Sequence, residues 1–317
     1  MKRFLMALLA AVVSSHAGAQ AYPSKPVTMI VPFPPGGSVD SVARQIAASL
    51  TKYLGQNVIV ENKAGAGGTI GSGIAANAAP DGYTILLGTT SALAISPAIY
   101  KSVPYDPLKS FVPLIEVTRG PFVLSVKNSL PVKDLKELIE LAKKNPGKLN
   151  SGSAGQGSVH HLALEMFKQA AGVDIVHVPF KGGAPAWTAV IAETIDMLFD
   201  SMPGPLMFQG RARPIAIAGP QRLAGLPGVP TFAEQGVPGV ETVFFWAIVA
   251  PAGTPPDIVA KLNAALGQTL RDPAVRADFT KQSMETSPGT AEEIARFMAV
   301  EIPRWRQVVQ KAGLKQE

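Results

Sequence analysis

The chain has no cysteine among its 317 residues. That absence removes structural disulfides, thiolate zinc sites, iron–sulfur clusters and cysteine nucleophiles together. Histidine is scarce as well, and beyond residue 21 only His160, His161 and His177 are available. Charged residues make up 16% and aromatic residues 7%, against 47% apolar, a globular composition with few surface charges rather than a disordered or coiled-coil one. Lysine and arginine nowhere form a run of five or more, so a formal charge of +6 is dispersed and leaves no nucleic-acid footprint. A Walker-type phosphate loop is also missing.

What is present begins with an export segment. Lys2 and Arg3 precede an apolar run from Phe4 to Val13, far short of the about 20 residues that span a bilayer. Small residues follow, with A-x-A cleavage patterns ending at Ala19 or at Ala21. The second is preferred because Tyr22 and Pro23 then open the mature chain just before its first strand. Residues 1–21 are therefore expected to be a cleavable signal peptide and the mature protein to be periplasmic. Removing them leaves 27 basic and 23 acidic side chains, a charge of +4.

The remaining 296 residues are enough for about two domains. They alternate short β-like runs, turn residues and helical periods, which predicts an α/β fold with largely parallel sheets. Strand Val27 to Val31 runs into PFPPGGS at Pro32 to Ser38, and then Val39, Val42, Ala43, Ile46, Ala47, Leu50 and Leu54 form one apolar helix face, with Ser38 as N-cap. Strands 58–61 and 83–87 repeat this grammar. A second unit starts near strand 122–126 and carries strands 149–151, 175–178, 195–199 and 214–218 with intervening helices. Strand 243–250 and helices over 258–270, 273–281 and 291–311 close the chain. No long linker separates the units, and the helical tail needs a host, which the helix-poor first unit supplies. The expected division is a discontinuous domain I, 22–121 plus 244–317, and an inserted domain II, 122–243, joined by two crossings that make a hinge.

In an open α/β sheet, ligands bind beyond the carboxyl ends of the strands. The loops there are 32–38, 88–91, 152–158, 179–183 and Asp200 with Ser201, rich in Gly, Ser and Thr. Several lead directly into helices, whose first amides and positive dipole end attract anions. Asp40, in a first helical turn, either bonds loop amides or meets a ligand. Asp200 faces the cleft as a hydrogen-bonding candidate, Lys181 is a candidate partner for a carboxylate, and Phe33, Phe180, Phe245 and Trp246 either wall a pocket or pack in the core. Gly71 to Ala76 fits G-x-G-x-x-A, but it lies inside a predicted helix and reads as a helix-packing patch. A serine hydrolase using Ser153 or Ser158 with a nearby histidine is a second reading, supported only by a near miss to the G-x-S-x-G elbow. The adjacent His160 and His161 lack metal-ligand spacing, and neither a metal nor a cofactor is expected.

At these loops the sequence resembles the Bug-type periplasmic solute receptors, the binding components of tripartite tricarboxylate transporters. The matching segments are YPSKP at 22–26, VPFPPGGSVDSVAR at 31–44, VENKAGAGG at 60–68 through PDGY at 80–83, SGSAGQGSVHHL at 151–162, VPFKGG at 178–183 and APAGTP at 250–255. The resemblance implies a two-lobed periplasmic binding protein that closes by hinge motion on a small carboxylate, be it a dicarboxylate, a tricarboxylate or an aromatic carboxylate. It implies delivery to integral-membrane permease subunits without catalysis; presentation to a membrane sensor is an alternative, and a monomer is expected. Carried over to this chain, the binding residues are Gly36, Gly37, Ser38, Thr89, Thr90 and Ser91 from one lobe, to which the loops themselves add Phe33 and Asp40 as candidates. The other lobe supplies Ser153, Ala154, Gly157, Ser158, Phe180, Lys181 and Asp200, with His161 as a further candidate from its own loops. Phe180 replaces the family's usual tyrosine, and Phe245-Trp246-Ala247 replaces its usual Trp, aromatic, Gly order; if these residues face the pocket, the ligand has a hydrophobic or aromatic body.

Overall fold

A computed structural model describes residues 22–201, 210–282 and 284–314. The export segment, 1–21, lies outside the described residues. Among the described residues no helix is long and apolar enough to cross a membrane.

The first strand, β1 (Val27–Val31), is buried along almost its whole length and pairs in parallel with β2 (Val58–Asn62) and β3 (Thr84–Thr89). Between β1 and β2 runs α1 (Ser38–Leu54), which buries Val42, Ala43, Ile46, Ala47, Leu50 and Leu54 along one stripe. It stops at Gly55, whose left-handed conformation lets its amide bond Thr51 O. The helix starts one residue earlier than the sequence predicts: Gly37, not Ser38, occupies the N-cap, and no side chain caps the helix. Helix α2 (Thr69–Ala76) lies between β2 and β3. After β3 a π turn over Ser91–Ile95 leads into the short α3 (Ser96–Ile99).

The next strand, β4 (Phe111–Lys127), is much longer than the predicted 122–126 because its first half, interrupted by Pro113 and Gly120, lacks clear alternation. It joins the two halves of the molecule. Through Pro121 it pairs antiparallel with β9 (Val243–Pro251), and from Phe122 onward with β7 (Met197–Asp200) and β8 (Ala212–Ala218). The second half adds α4 (Leu135–Lys144), β5 (Asn150–Ser153), α5 (Val159–Ala171), β6 (Val176–Pro179) and α6 (Gly183–Ile191), with β5 parallel to both β6 and β7. The path β2-β1-β3-β9-β4-β7-β5-β6 thus forms two lobes, each with a parallel core and an antiparallel strand toward the other.

The C-terminal helices are α7 (Pro256–Arg271), α8 (Pro273–Lys281) and α9 (Ala291–Lys311). Helix α7 packs on α1, and α9 packs on β4 and the Ser91–Ile95 turn. Thr290 opens α9 with a reciprocal capping box to Glu293, and Trp305 on that helix is fully buried. In the second lobe Phe199 stacks on Phe232 and Phe167 packs against both at steeper angles, forming one aromatic cluster.

Gly71 and Gly73 are packing glycines. A Cβ on Gly71 would lie 2.6 Å from Lys63 O and 2.9 Å from Pro32 Cα, and one on Gly73 would lie 2.5 Å from Pro104 Cγ. Backbone atoms of Lys63 and Pro32 have little room to retreat, so Gly71→Ala is expected to destabilise the protein by about 1–3 kcal/mol in urea unfolding. Unchanged stability would show that α2 shifts freely on the sheet.

Candidate functional site

A cleft cavity of about 530 Å³, its open mouth included, lies where the loops of the two lobes meet. Each of the five predicted strand-end loops contributes to its wall: Phe33, Pro34 and Gly37 to Val39 after β1, Thr89 to Ser91 at the end of β3, Ala154 after β5, Gly182 to Pro185 after β6, and Ser201 after β7. Val159 and His160 add the start of α5.

The lobes are in contact around this cavity. The Val159 amide donates to Ser91 Oγ of the opposite lobe at 3.2 Å, and Tyr100 OH donates to Gln156 O at 3.5 Å. Gly182 sits so close to Pro34 that a Cβ would approach Pro34 Cδ to 2.9 Å, and a Cβ on Gly37 would lie 3.9 Å from the Ala184 nitrogen. The first turns of α1 and α6 therefore converge from opposite lobes. Both helices have glycine N-caps, Gly37 and Gly182, and neither has a side-chain cap. Their opening amides have no local side-chain acceptor and their dipoles both favour an anion between them.

Of the predicted residues, Phe33, Gly37, Ser38, Thr89, Thr90, Ser91 and Ala154 line the cavity. The others do not, and most of them brace the loops that do. Asp40 Oδ2 accepts from the Gly36 amide at 2.9 Å and from Arg44 Nε at 3.1 Å, while Asn62 donates to Asp40 Oδ1 and to Phe33 O. Burial alone would raise the Asp40 pKa, but the bonds from Arg44, Gly36 and Asn62 outweigh it and hold the carboxyl below the ordinary range. Ser158 caps α5 by accepting from the His161 amide and donates to Gly155 O at 2.7 Å. Gly157 has φ +70° and packs on Ile99. Lys181 is exposed outside the cavity wall. Phe180 packs beside Ala186 and Trp187 rather than facing the cavity. Asp200 Oδ2 accepts from Trp187 Nε1, and its Oδ1 accepts from Ser201 N and Oγ.

The aromatic wall comes from elsewhere. On β9, Phe244 and Trp246 share the face that lines the cavity, whereas Phe245 points the other way and stacks on Phe297. Phe122 of β4 meets Phe244 edge to face at 6.0 Å, and Phe244 lies 5.4 Å from Trp246. Sequence reasoning named Trp246 but missed Phe122 and Phe244; period-two alternation outward from Trp246 would have found Phe244. It also set aside His160, which lines the wall.

Behind the wall, Ser153 Oγ lies 2.6 Å from His177 Nε2, and His177 stacks on His161 with ring centroids 3.8 Å apart. The Gly157 amide donates to His161 Nδ1 at 3.3 Å. Ser153 is fully buried and does not line the cavity, so this serine–histidine contact holds the loop rather than presenting a nucleophile. Burial, followed by the positive charge of Lys168, holds the His161 pKa down to about 4. Burial, followed by its stacking neighbour His161, does the same to His177, also to about 4. In an unfolded chain these imidazoles take up protons near pH 6.5. Their contribution to stability is therefore complete above about pH 6.5 and drains away as the pH falls toward 4. Urea midpoints measured from pH 7.5 to 4.5 are expected to fall steadily, with a shallower slope in His177→Gln; equal slopes would dismiss this linkage.

Comparison with known proteins places the chain. The model for the Tripartite tricarboxylate transporter family receptor matches residues 42–314. Protein BugT of Bordetella pertussis is 38% identical over 306 residues, covering 96% of this chain and 94% of BugT. The structure of the periplasmic binding protein BugD superposes with a TM-score of 0.89 at 35% identity, covering 93% of this chain and 100% of BugD. R. palustris Rpa4515 with adipate gives a TM-score of 0.89 at 36% identity, with 93% and 100% covered. The match spans both lobes and the cleft between them, and the chain belongs to the tripartite tricarboxylate transporter receptor family, the Bug-type periplasmic solute-binding proteins.

Proposed function

We propose that the protein captures a small carboxylate with an apolar or aromatic body between its lobes and hands it to the permease of a tripartite transporter, with no catalytic step. One observation carries this reading: the uncapped starts of α1 and α6 meet from opposite lobes at one cavity. A carboxylate between them accepts amides of both lobes at once. Each helix start contributes about 0.3–1 kcal/mol, rising to about 2 when partly buried, and only in the closed arrangement do the two act together. Ligand binding then shifts the population toward closure. The adipate bound to the Rpa4515 neighbour supports a carboxylate as the cargo.

The two lobes, 22–121 with 244–317 and 122–243, turn on β4 and on the entry to β9, where the chain passes between them. Residues 1–21 direct export to the periplasm. Phe33, Phe122, Phe244 and Trp246 pack on the body of the cargo, while Gly37, Ser38 and the Thr89 to Ser91 segment hold its carboxylate end.

Gly37 has φ −85° and a prospective Cβ would meet its nearest neighbours, Ala184 N and Pro34 O, at an ordinary 3.9 Å, so Gly37→Asp fits the fold and introduces a competing carboxylate between the two helix starts. Calorimetric titration of a small-carboxylate panel is expected to show at least a tenfold loss, about 1.4 kcal/mol, in this variant. X-ray scattering of the unsubstituted protein should show a smaller radius of gyration when a carboxylate binds. Wild-type affinity in Gly37→Asp would overturn the assignment of the anion to this point.

A further inference from the structure

Several polar side chains around the cavity are already engaged. Thr90 Oγ1 accepts from the Phe245 amide at 2.7 Å, Ser91 Oγ accepts from the Val159 amide, and Ser201 Oγ donates to Asp200 at 3.1 Å. His160 differs: both ring nitrogens are buried and neither has a hydrogen-bond partner. Buried polar atoms are paired in the great majority of cases, and an unpaired one on a cavity wall is accounted for by a group that enters the cavity.

We propose that His160 is the specificity residue of the cleft, and that it selects an aromatic monocarboxylate bearing a neutral hydrogen-bonding substituent, a ring hydroxyl, over a dicarboxylate. The inference rests on the carboxylate-receptor reading given above. Three observations carry it. The Phe122 ring meets His160 edge to face at 5.1 Å, so the row Trp246, Phe244, Phe122 forms an aromatic wall that ends at the imidazole. A flat ring lying along that row brings its substituent to His160. A neutral imidazole offers one N–H donor and one acceptor nitrogen, and a hydroxyl can satisfy either.

Charge decides against a second carboxylate. His160 Nε2 is 3.6 Å from Asp200 Oδ1, too far for a hydrogen bond, so the Asp200 carboxylate stands beside the ring. Neither lysine nor arginine lines the cavity among the described residues. A second carboxylate at this end would lose water and face Asp200 without a cation of its own. A hydroxyl meets no such penalty.

The test is calorimetric titration of the full chain with benzoate, 3- and 4-hydroxybenzoate, terephthalate and adipate, alongside His160→Phe and His160→Gln. One hydroxybenzoate isomer is expected to bind about tenfold tighter than benzoate, with terephthalate and adipate weaker than benzoate. His160→Phe keeps a ring but no nitrogen and should bring the hydroxybenzoate-to-benzoate ratio close to one, while His160→Gln, which keeps a donor and an acceptor, should retain most of the preference. Thermal melts of the unliganded variants establish that both fold. Tightest binding of a dicarboxylate, or an unchanged ratio in His160→Phe, overturns this inference and leaves the receptor reading intact. If none of the five compounds binds, the receptor reading falls and this inference falls with it.

Discussion

A helix that begins at a glycine has no N-cap side chain to take up its first amides, and in this protein two such helices, α1 and α6, begin against each other from opposite lobes. Among the described residues four other helices are capped by side chains, Asp134 for α4, Ser158 for α5, Asp272 for α8 and Thr290 for α9, whereas α2 after Gly68 and α7 after Pro255 are not. What sets α1 and α6 apart is that their starts meet from opposite lobes at the cleft. Each lobe alone offers one weak helix terminus, and the two lie side by side only where the lobes meet. Among the described residues neither arginine nor lysine lines the cleft, which fits a chain with so few charges.

The loops carrying those amides are held from behind. Asp40 ties Gly36, Arg44 and Asn62 together under the β1 loop, and Asn62 continues the tie to Phe33. On the other lobe Ser153, His177 and His161 brace the neighbouring loop after β5, and Ser153 O accepts from the Phe180 amide in the loop that leads into α6. These are the more strongly polar residues of the binding motifs, and they are used to position backbone rather than to touch the cavity. The division follows from chemistry: a buried carboxylate or imidazole near an anion site must be satisfied locally, whereas an uncapped amide stays available.

Much of this was legible in the sequence. The alternation of strands and helices, the amphipathic stripe of α1 and the tail helices over 273–281 and 291–311 follow from periodicity and breakers, and every strand-end loop named from them reaches the cavity. The first half of β4 was not legible, since Pro113 and Gly120 interrupt its pattern while β9 supplies the pairing that makes it a strand. Within the motifs, sequence could not separate contact from support. Phe180 and Phe245 were candidates for the wall, yet one packs under α6 and the other on α9, because the pleat and the loop path set which way each ring points.

By itself, then, the sequence determined the fold class, the positions of the loops and the kind of chemistry those loops carry, because local periodicity, turn residues and glycine-rich strand ends act over a few neighbouring residues. Only the tertiary structure decided which residues meet. Phe122, Phe244 and His160 come from three separated segments and converge through the antiparallel pairing of β4 with β9 and the approach of α5. Convergence of that kind depends on strand register and on the contact between lobes, and neither is encoded at any one position in the chain.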